Sequence, residues 1–419
     1  MKEYIKSIIG KYSTIIKNTG YLFILEFIRL TLPLLAITYI IRTVGATKYG
    51  TIIFAQTIIY YFSVFVNWGF DISAVKDVAL NKNNHYELIT IFNNVIFTKI
   101  FLFFIASVIL VIMCLIIPYC RENWILFTFA FITTFSDILI AVWFYQGVEE
   151  MKFITLCKAG SVIVYALCIF LFIKESNDYI LVPFFQSLGN LIAAVVSVYV
   201  IIKKFNIRII KVSAKNIKKY LSTSFPFFLS RLSAILNNSI AKTICGITSN
   251  MEMVGIYDIA QKIATISNVP IQMLNQAIYP HIAKTLDKKF VNNFYNIILI
   301  VSLLVALALF ILAPIAVLLV SGQNLEDATT ILKILCLWVF FCGLSSYIGT
   351  PVLISFGHQR EFNLSVVISS IFLVMVFSIY VFFNVKILSL YAIAIVCSEI
   401  IIYVYRIYNA KKYKIIGIK

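Results

Sequence analysis

Repeatedly along this chain, mostly apolar residues run for about twenty positions, the length that carries an α-helix across a hydrocarbon core. Charged or turn-forming clusters separate the runs and predict twelve spans. These are 20–41, 50–69, 89–117, 123–145, 153–173, 179–202, 221–244, 253–280, 291–320, 328–355, 362–385 and 387–405. Runs 291–320 and 362–385 hold no charge, whereas 253–280 carries Asp258, Lys262, Asn268, Pro270, Gln272, Asn275 and Gln276. No connection is long enough for a soluble domain. Composition agrees, because 61% of residues are hydrophobic and 13% charged, against about a quarter charged in soluble domains. The expected fold class is therefore an all-α integral membrane protein, since helices satisfy their own backbone groups where lipid offers none.

Charge then orders the chain. The formal net charge of +17 belongs to the loops. If the N-terminus is cytoplasmic, 24 of the 35 basic residues fall on cytoplasmic pieces, including Arg406 in the tail, and six fall outside. The positive-inside rule puts both ends in the cytoplasm. The charge excess needs no nucleic acid, and none is expected as a partner. Met1-Lys2-Glu3-Tyr4 opens no cleavable-signal pattern, so the first run is expected to stay as an anchor.

The sequence also echoes itself. Gly50, Ala55 and Gln56 match Gly255, Ala260 and Gln261 at constant offset, and Val44-Gly45 answers Cys245-Gly246. Arg29 and Arg231 lie at similar depth in their spans, and Gly147…Phe153 has a fainter copy in Gly357…Phe362. Together these predict two six-helix bundles, 1–205 and 221–419, joined by a cytoplasmic basic linker at 206–220. Each has an even number of spans, so both face the same way, with a polar pathway expected between them.

Ionisable groups inside spans cost about 2.5 kcal/mol or more at the bilayer centre and each needs a reason. Arg29 and Arg231 either build a cationic cavity for an anionic headgroup or pair with a nearby acid such as Glu26. Lys262 either lines the same cavity or pairs with Asp258 one turn earlier. Asp137, Asp258 and Glu399 are candidates for a coupling ion or proton, with interhelical hydrogen bonding the alternative for the lone acids Asp137 and Glu399. Lys99 and Lys242 lie near span ends and are expected to snorkel. Asp71, Lys76 and Asp77, after Trp68-Gly69-Phe70, form either a gate loop or a plain helix end. Prolines 33, 226, 270, 314 and 351 are expected to kink their spans.

Several chemistries are excluded. The chain has no phosphate-binding loop and no dinucleotide fingerprint. Its three histidines (His85, His281, His358) are dispersed, and its eight cysteines contain no C-x-x-C and read as packing residues. No catalytic residue, metal site or cofactor is expected.

Four stretches resemble the motifs of Wzx-type O-antigen flippases of the MOP exporter superfamily. The first is Lys48-Tyr49-Gly50 through Phe54-Ala55-Gln56, continued by Asn67-Trp68-Gly69-Phe70 to Asp77. The second is Trp143-Phe144-Tyr145-Gln146-Gly147-Val148-Glu149-Glu150-Met151-Lys152. The others are Gly255-Ile256-Tyr257-Asp258 to Ile263, and Gly349-Thr350-Pro351 with Gly357-His358-Gln359-Arg360-Glu361-Phe362. The resemblance covers nearly the whole chain. It implies a twelve-helix, two-bundle protein of a bacterial inner membrane, working in lipopolysaccharide biosynthesis. Its cargo would be an undecaprenyl-pyrophosphate-linked oligosaccharide, carried from the cytoplasmic to the periplasmic leaflet. Implied partners are that substrate, membrane lipids, an O-antigen polymerase and a chain-length regulator. A cation-coupled multidrug exporter fits less well, because a cationic interior repels cationic drugs. A membrane-embedded polymerase would need larger outer loops than 119–123 and 174–178 provide.

Overall fold

The computed structural model describes residues 32–417 and is helical, with no strand among the described residues. In chain order the helices are α1 (Leu32–Val44), α2 (Ala46–Asn67), α3 (Phe70–Leu80), α4 (His85–Ile116), α5 (Pro118–Glu122) and α6 (Trp124–Leu139). There follow α7 (Val142–Gly147), α8 (Met151–Phe172), α9 (Leu181–Phe205), α10 (Ala214–Thr248), α11 (Met251–Ser267) and α12 (Val269–Thr285). The chain ends in α13 (Lys288–Ser321), α14 (Glu326–Tyr347), a π-helical turn at Ile348–Ile354, α15 (Gln359–Phe382) and α16 (Leu388–Lys412). Arg29 and Glu26 lie outside the described residues.

Among the described residues, nine helical segments are long and apolar enough to cross a membrane. α10, α11 and α12 are not among them, because charges and amides dilute their apolar character. α13 shows what an apolar segment does. Ile298, Ser302, Ala306, Leu309, Ala313 and Val317 are buried at helical spacing, while Leu304, Leu307, Ile311, Ile315 and Leu319 are exposed. The inward stripe mixes small and polar residues with aliphatics, while these outward residues are all branched aliphatics where a soluble helix would be polar, as lipid requires.

Local chemistry sets the helix ends. Asn250 Oδ1 accepts the Met253 amide at 2.9 Å to start α11, and Asp287 accepts the amides of Lys289 and Phe290 to start α13. The expected span 253–280 is two helices rather than one. It breaks at Asn268, because Pro270 in the first turn of α12 lacks an amide proton and is suited to a helix start. Pro351 sits in the π-helical turn, whose wider spacing accommodates the missing donor. Of the linker stretch 206–220, residues 214–220 form the first turns of the long helix α10. The extended part before it is pinned by Asn93, which donates to the Arg208 carbonyl at 2.8 Å and accepts the Ile210 amide at 3.0 Å.

Contacts group the chain into two compact units. Among the described residues, one takes 32–43 with Phe70–Tyr220, and the other takes Val44–Gly69 with 221–417. Thus α2, early in the sequence, packs with the C-terminal helices through α11. In the first unit α9 packs on α6 and α8, and α3 on α7. In the second, α14 joins α11, α13 and α16, while α12 lies against the π-helical turn.

Candidate functional site

The site begins at a close helix crossing within the second unit. A methyl group added at Gly50 of α2 would fall 1.6 Å from the Met251 carbonyl oxygen, and one at Gly255 of α11 would fall 2.6 Å from the Ala46 oxygen. Only glycine lets the two backbones meet this closely. The crossing sets Tyr49 against Asp258, whose carboxylate is buried (1% exposed). Asp258 accepts from the Tyr49 hydroxyl at 2.6 Å, from Lys242 Nζ at 3.0 Å and from Lys262 Nζ at 2.8 Å. Lys262 Nζ also donates to the Tyr49 oxygen at 2.8 Å and lies over that ring. The ion pair allowed by the one-turn spacing of Asp258 and Lys262 is therefore formed, and Lys242 joins it. Burying an ion costs several kcal/mol, which three charge-assisted bonds of about 1.5–3 kcal/mol each can offset. Two ammonium groups share one carboxylate, so the cluster carries excess positive charge, and the Lys262 side chain remains 32% exposed.

Lys242 does not snorkel, because its ammonium is spent on Asp258 and its side chain is 17% exposed. Arg231 is exposed on α10, eleven residues before Lys242 and hence on the same stripe three turns away. Asn238 lies on that stripe between them, and its carbonyl accepts from Gln261 of α11 at 2.9 Å.

A second charged network joins α14, α15 and α16. Ser345 Oγ donates to the buried Glu399, and the Trp338 side chain also hydrogen-bonds it. Arg406 is buried within α16, not in a cytoplasmic tail as its place near the chain end suggested. Its Nε donates to Ser365 Oγ at 2.9 Å, its Nη1 to the Ser345 carbonyl at 2.8 Å, and it stacks on Phe362. Gly349 leaves the room: a methyl there would fall 2.6 Å from Nη1. Glu399 is thus not a lone acid, since Arg406, two turns along the same face, supplies its opposite charge.

In the first unit Lys99 sits at the middle of α4 and is 1% exposed, with Asp137 and Asp71 as its carboxylate neighbours. It does not snorkel either. The helix starts earlier than hydropathy indicated, at His85 capped by Asn84, so Lys99 is far from the end. Asp71, Lys76 and Asp77 lie on helix α3, with Lys76 exposed and Asp77 facing the charges of Lys76 and Lys219.

The stretch from Trp143 to Lys152 braces the same unit. Trp143, Phe144 and Tyr145 are buried, and Tyr145 donates to the Ser197 carbonyl at 2.7 Å. Gly147 packs on Val78 so closely that a methyl would fall 2.5 Å from it. Glu149 meets Lys82 at 2.7 Å, while Glu150 meets Lys204 and, at 3.3 Å, Lys152. Hydrogen bonds from Lys82 and Lys204 hold these two carboxyls below the usual range.

A cleft of about 250 Å³ lies between α12 and the π-helical turn, lined by Gln272, Asn275, Gln276, Tyr279, Ser346 and Thr350 among others. Sequence reading noted these amides but not that they converge with Ser346 and Thr350. It missed Tyr49 and Lys242 as partners of Asp258. The Tyr49-Gly50 and Gly255–Lys262 stretches, which carry both the family resemblance and part of the internal echo, were the available signal.

Comparison with known proteins accords with this architecture. The model of a family described as polysaccharide biosynthesis protein matches residues 15–286. A protein of Escherichia coli strain K12 named "Putative O-antigen transporter" is 27% identical over 356 residues, covering 83% of this chain and 85% of the relative. A Shigella dysenteriae protein of the same name is 23% identical over 270 residues, 64% of this chain and 67% of the relative. Among solved structures, lipid II flippase MurJ in an inward closed conformation superposes with a TM-score of 0.75 at 14% identity, over 93% of this chain and 87% of that one. An inward-facing multidrug resistance MATE family transporter of the MOP superfamily gives 0.68 at 14% identity, over 93% and 98%. At such identity the two structures share the fold with this chain.

Proposed function

From the premise that this chain belongs to the polysaccharide biosynthesis protein family, we propose that it flips undecaprenyl-pyrophosphate-linked O-antigen repeat units from the cytoplasmic to the periplasmic leaflet. The relatives are named as transporters, and the many apolar helices make this a multi-pass membrane protein. In this reading it sits in the inner membrane with twelve spans, two six-helix bundles and both ends cytoplasmic, and works by alternating access.

The observation that carries the reading is the cluster around Asp258. Two lysines share one carboxylate, one of them is a third exposed, and Arg231 lies exposed on the stripe that leads to it. An arriving pyrophosphate can take over donors from Asp258, so binding would exchange one anion for another instead of burying a new charge unpaired. Arg29 would add to the same cationic cavity. Asp258 would then serve as both counter-ion and coupling group, with Asp137 and Glu399 as further coupling candidates and Asp71, Lys76 and Asp77 on a gating helix. The polymerase and chain-length regulator would receive the product.

The test is genetic and chemical. In cells carrying Lys242→Ala with Lys262→Ala, lipid-linked repeat units should accumulate in the cytoplasmic leaflet, and surface polysaccharide should fall at unchanged protein abundance. Normal export by that double variant sinks the anion-exchange role. Normal transbilayer repeat units with short surface chains after gene deletion would move the function to polymerisation.

A further inference from the structure

The amide-lined cleft between α12 and the π-helical turn is not used by the anion site. Its lining includes no Asp, Glu, Lys or Arg, so it suits neither a metal ion nor a phosphate. Nor does it suit lipid. Gln272, Gln276 and Thr350 are exposed, and polar side chains at membrane depth belong where water reaches. Gln272, Gln276 and Tyr279 form one stripe of α12, at one-turn spacings, facing the cleft.

What this arrangement lacks is a partner. The side chains of Gln272 and Gln276 make no hydrogen bond among the described residues. Asn275 is 94% buried by its 6% exposure, and its Nδ2 is spent on Ser346 Oγ at 2.8 Å. Its Oδ1 has no partner among the described residues, leaving a buried acceptor that costs about 1–3 kcal/mol until a donor reaches it. Each glutamine amide offers both donors and an acceptor, Thr350 offers a hydroxyl, and Tyr279 adds a ring face with a polar tip. Neutral groups that both donate and accept, beside an aromatic face, match the alternating hydroxyls and C–H face of a sugar ring. At about 250 Å³ the cleft lies below the range of drug-sized ligand sites and at the scale of a monosaccharide.

We infer that this cleft is a sugar-binding subsite in which Gln272, Gln276, Thr350 and the open acceptor of Asn275 read the hydroxyls of one residue of the cargo. The inference rests on the flippase reading for its cargo, and divides the work: the lysines hold the anionic headgroup, and the amides read the sugar. A site that hydrogen-bonds a hydroxyl rejects the analogue lacking it, because its own polar groups are then left unpaired.

The full chain in lipid nanodiscs tests this. The probes are methyl glycosides of common hexoses and N-acetylhexosamines, read by saturation-transfer NMR, and inorganic pyrophosphate, read by phosphorus line broadening. At least one glycoside should show transfer above empty nanodiscs. Its signal should fall about fivefold in Gln272→Leu and again in Gln276→Leu, the loss of one neutral hydrogen bond each. Both positions are exposed, so the variants keep the fold, which the melting temperature checks. Pyrophosphate broadening should persist in both. No transfer from any glycoside, or transfer that survives the double variant, overturns the subsite. Glycoside transfer without pyrophosphate binding instead overturns the headgroup role of the lysines and leaves the subsite standing.

Discussion

The crossing of α2 and α11 can be tested by one methyl group. In Gly50→Ala, the new carbon must retreat from 1.6 Å to the 3.4 Å of ordinary contact with the Met251 carbonyl, an opening of about 1.8 Å between two backbones. A side chain could swing aside, but a helical carbonyl cannot. That places the overpacking cost near the upper end of its usual range, about 3 kcal/mol. Moving α2 also draws Tyr49 away from Asp258, and losing that charged hydrogen bond adds about 1.5 kcal/mol. Better helix propensity returns about 1 kcal/mol, so the net destabilisation is about 3.5 kcal/mol. Gly160 in α8 is the internal control. Nothing lies within 4 Å of a methyl there, so Gly160→Ala should stabilise by about 1 kcal/mol through propensity alone. Thermal melts of both variants in one detergent should bracket the parent, Gly50→Ala melting well below it and Gly160→Ala slightly above. If Gly50→Ala melts with the parent, the close backbone approach is wrong, and the placement of Tyr49 on Asp258 goes with it.

The charged groups give three further tests. Asp258→Asn strands two ammonium groups and should cost about 3 kcal/mol, with Lys262 sparing part of the penalty through its exposure. Adding Lys242→Met should recover much of it, and melts that instead add within about 0.5 kcal/mol would show that the two residues do not interact. Lys99 should escape acylation by an amine reagent that labels the exposed Lys82 fully, so equal labelling by mass spectrometry would refute its burial. Glu149 and Glu150 are held below the usual carboxylate range, so their contribution is fully present above the ordinary pKa of about 4.3. It is lost as pH falls through the lowered value. Melting temperature should therefore be insensitive to these pairs from neutral pH to about 5 and decline more steeply below 4 than in Glu149→Gln with Glu150→Gln.

Hydropathy made the helices legible because a span's length and apolar content are local properties. Charge partners were less legible, because they depend on which helices pack together. Asp258 and Lys262 share a helix, so their pairing followed from spacing alone. Tyr49 lies 209 residues from Asp258, and only the crossing brings them together. Lys99 and Arg406 were misplaced for a related reason. Their positions were judged from apolar boundaries, but the helices run past those boundaries, α4 from His85 and α16 to Lys412, which draws both charges inside.

The internal echo also gains a physical meaning. Gly50 and Gly255 are 205 residues apart, as are Ala46 and Met251. Gly50 lies against the carbonyl of residue 251, and Gly255 lies against the carbonyl of residue 46. Each residue thus meets the counterpart of its partner, the reciprocal contact that residues make around a two-fold axis. Small residues are required there on both helices, which accounts for the glycine at both positions. The charges break the symmetry. At the same offset Asp258 corresponds to Ile53, Lys262 to Thr57, and Tyr49 to Val254. The crossing is therefore shared scaffold, and the cationic cluster is built on one side of it. A variant that restores local symmetry by removing charge, Asp258→Ile with Lys262→Thr, should keep the crossing and its stability better than Gly50→Ala, yet lose export. If it keeps export, the cluster serves packing and not cargo.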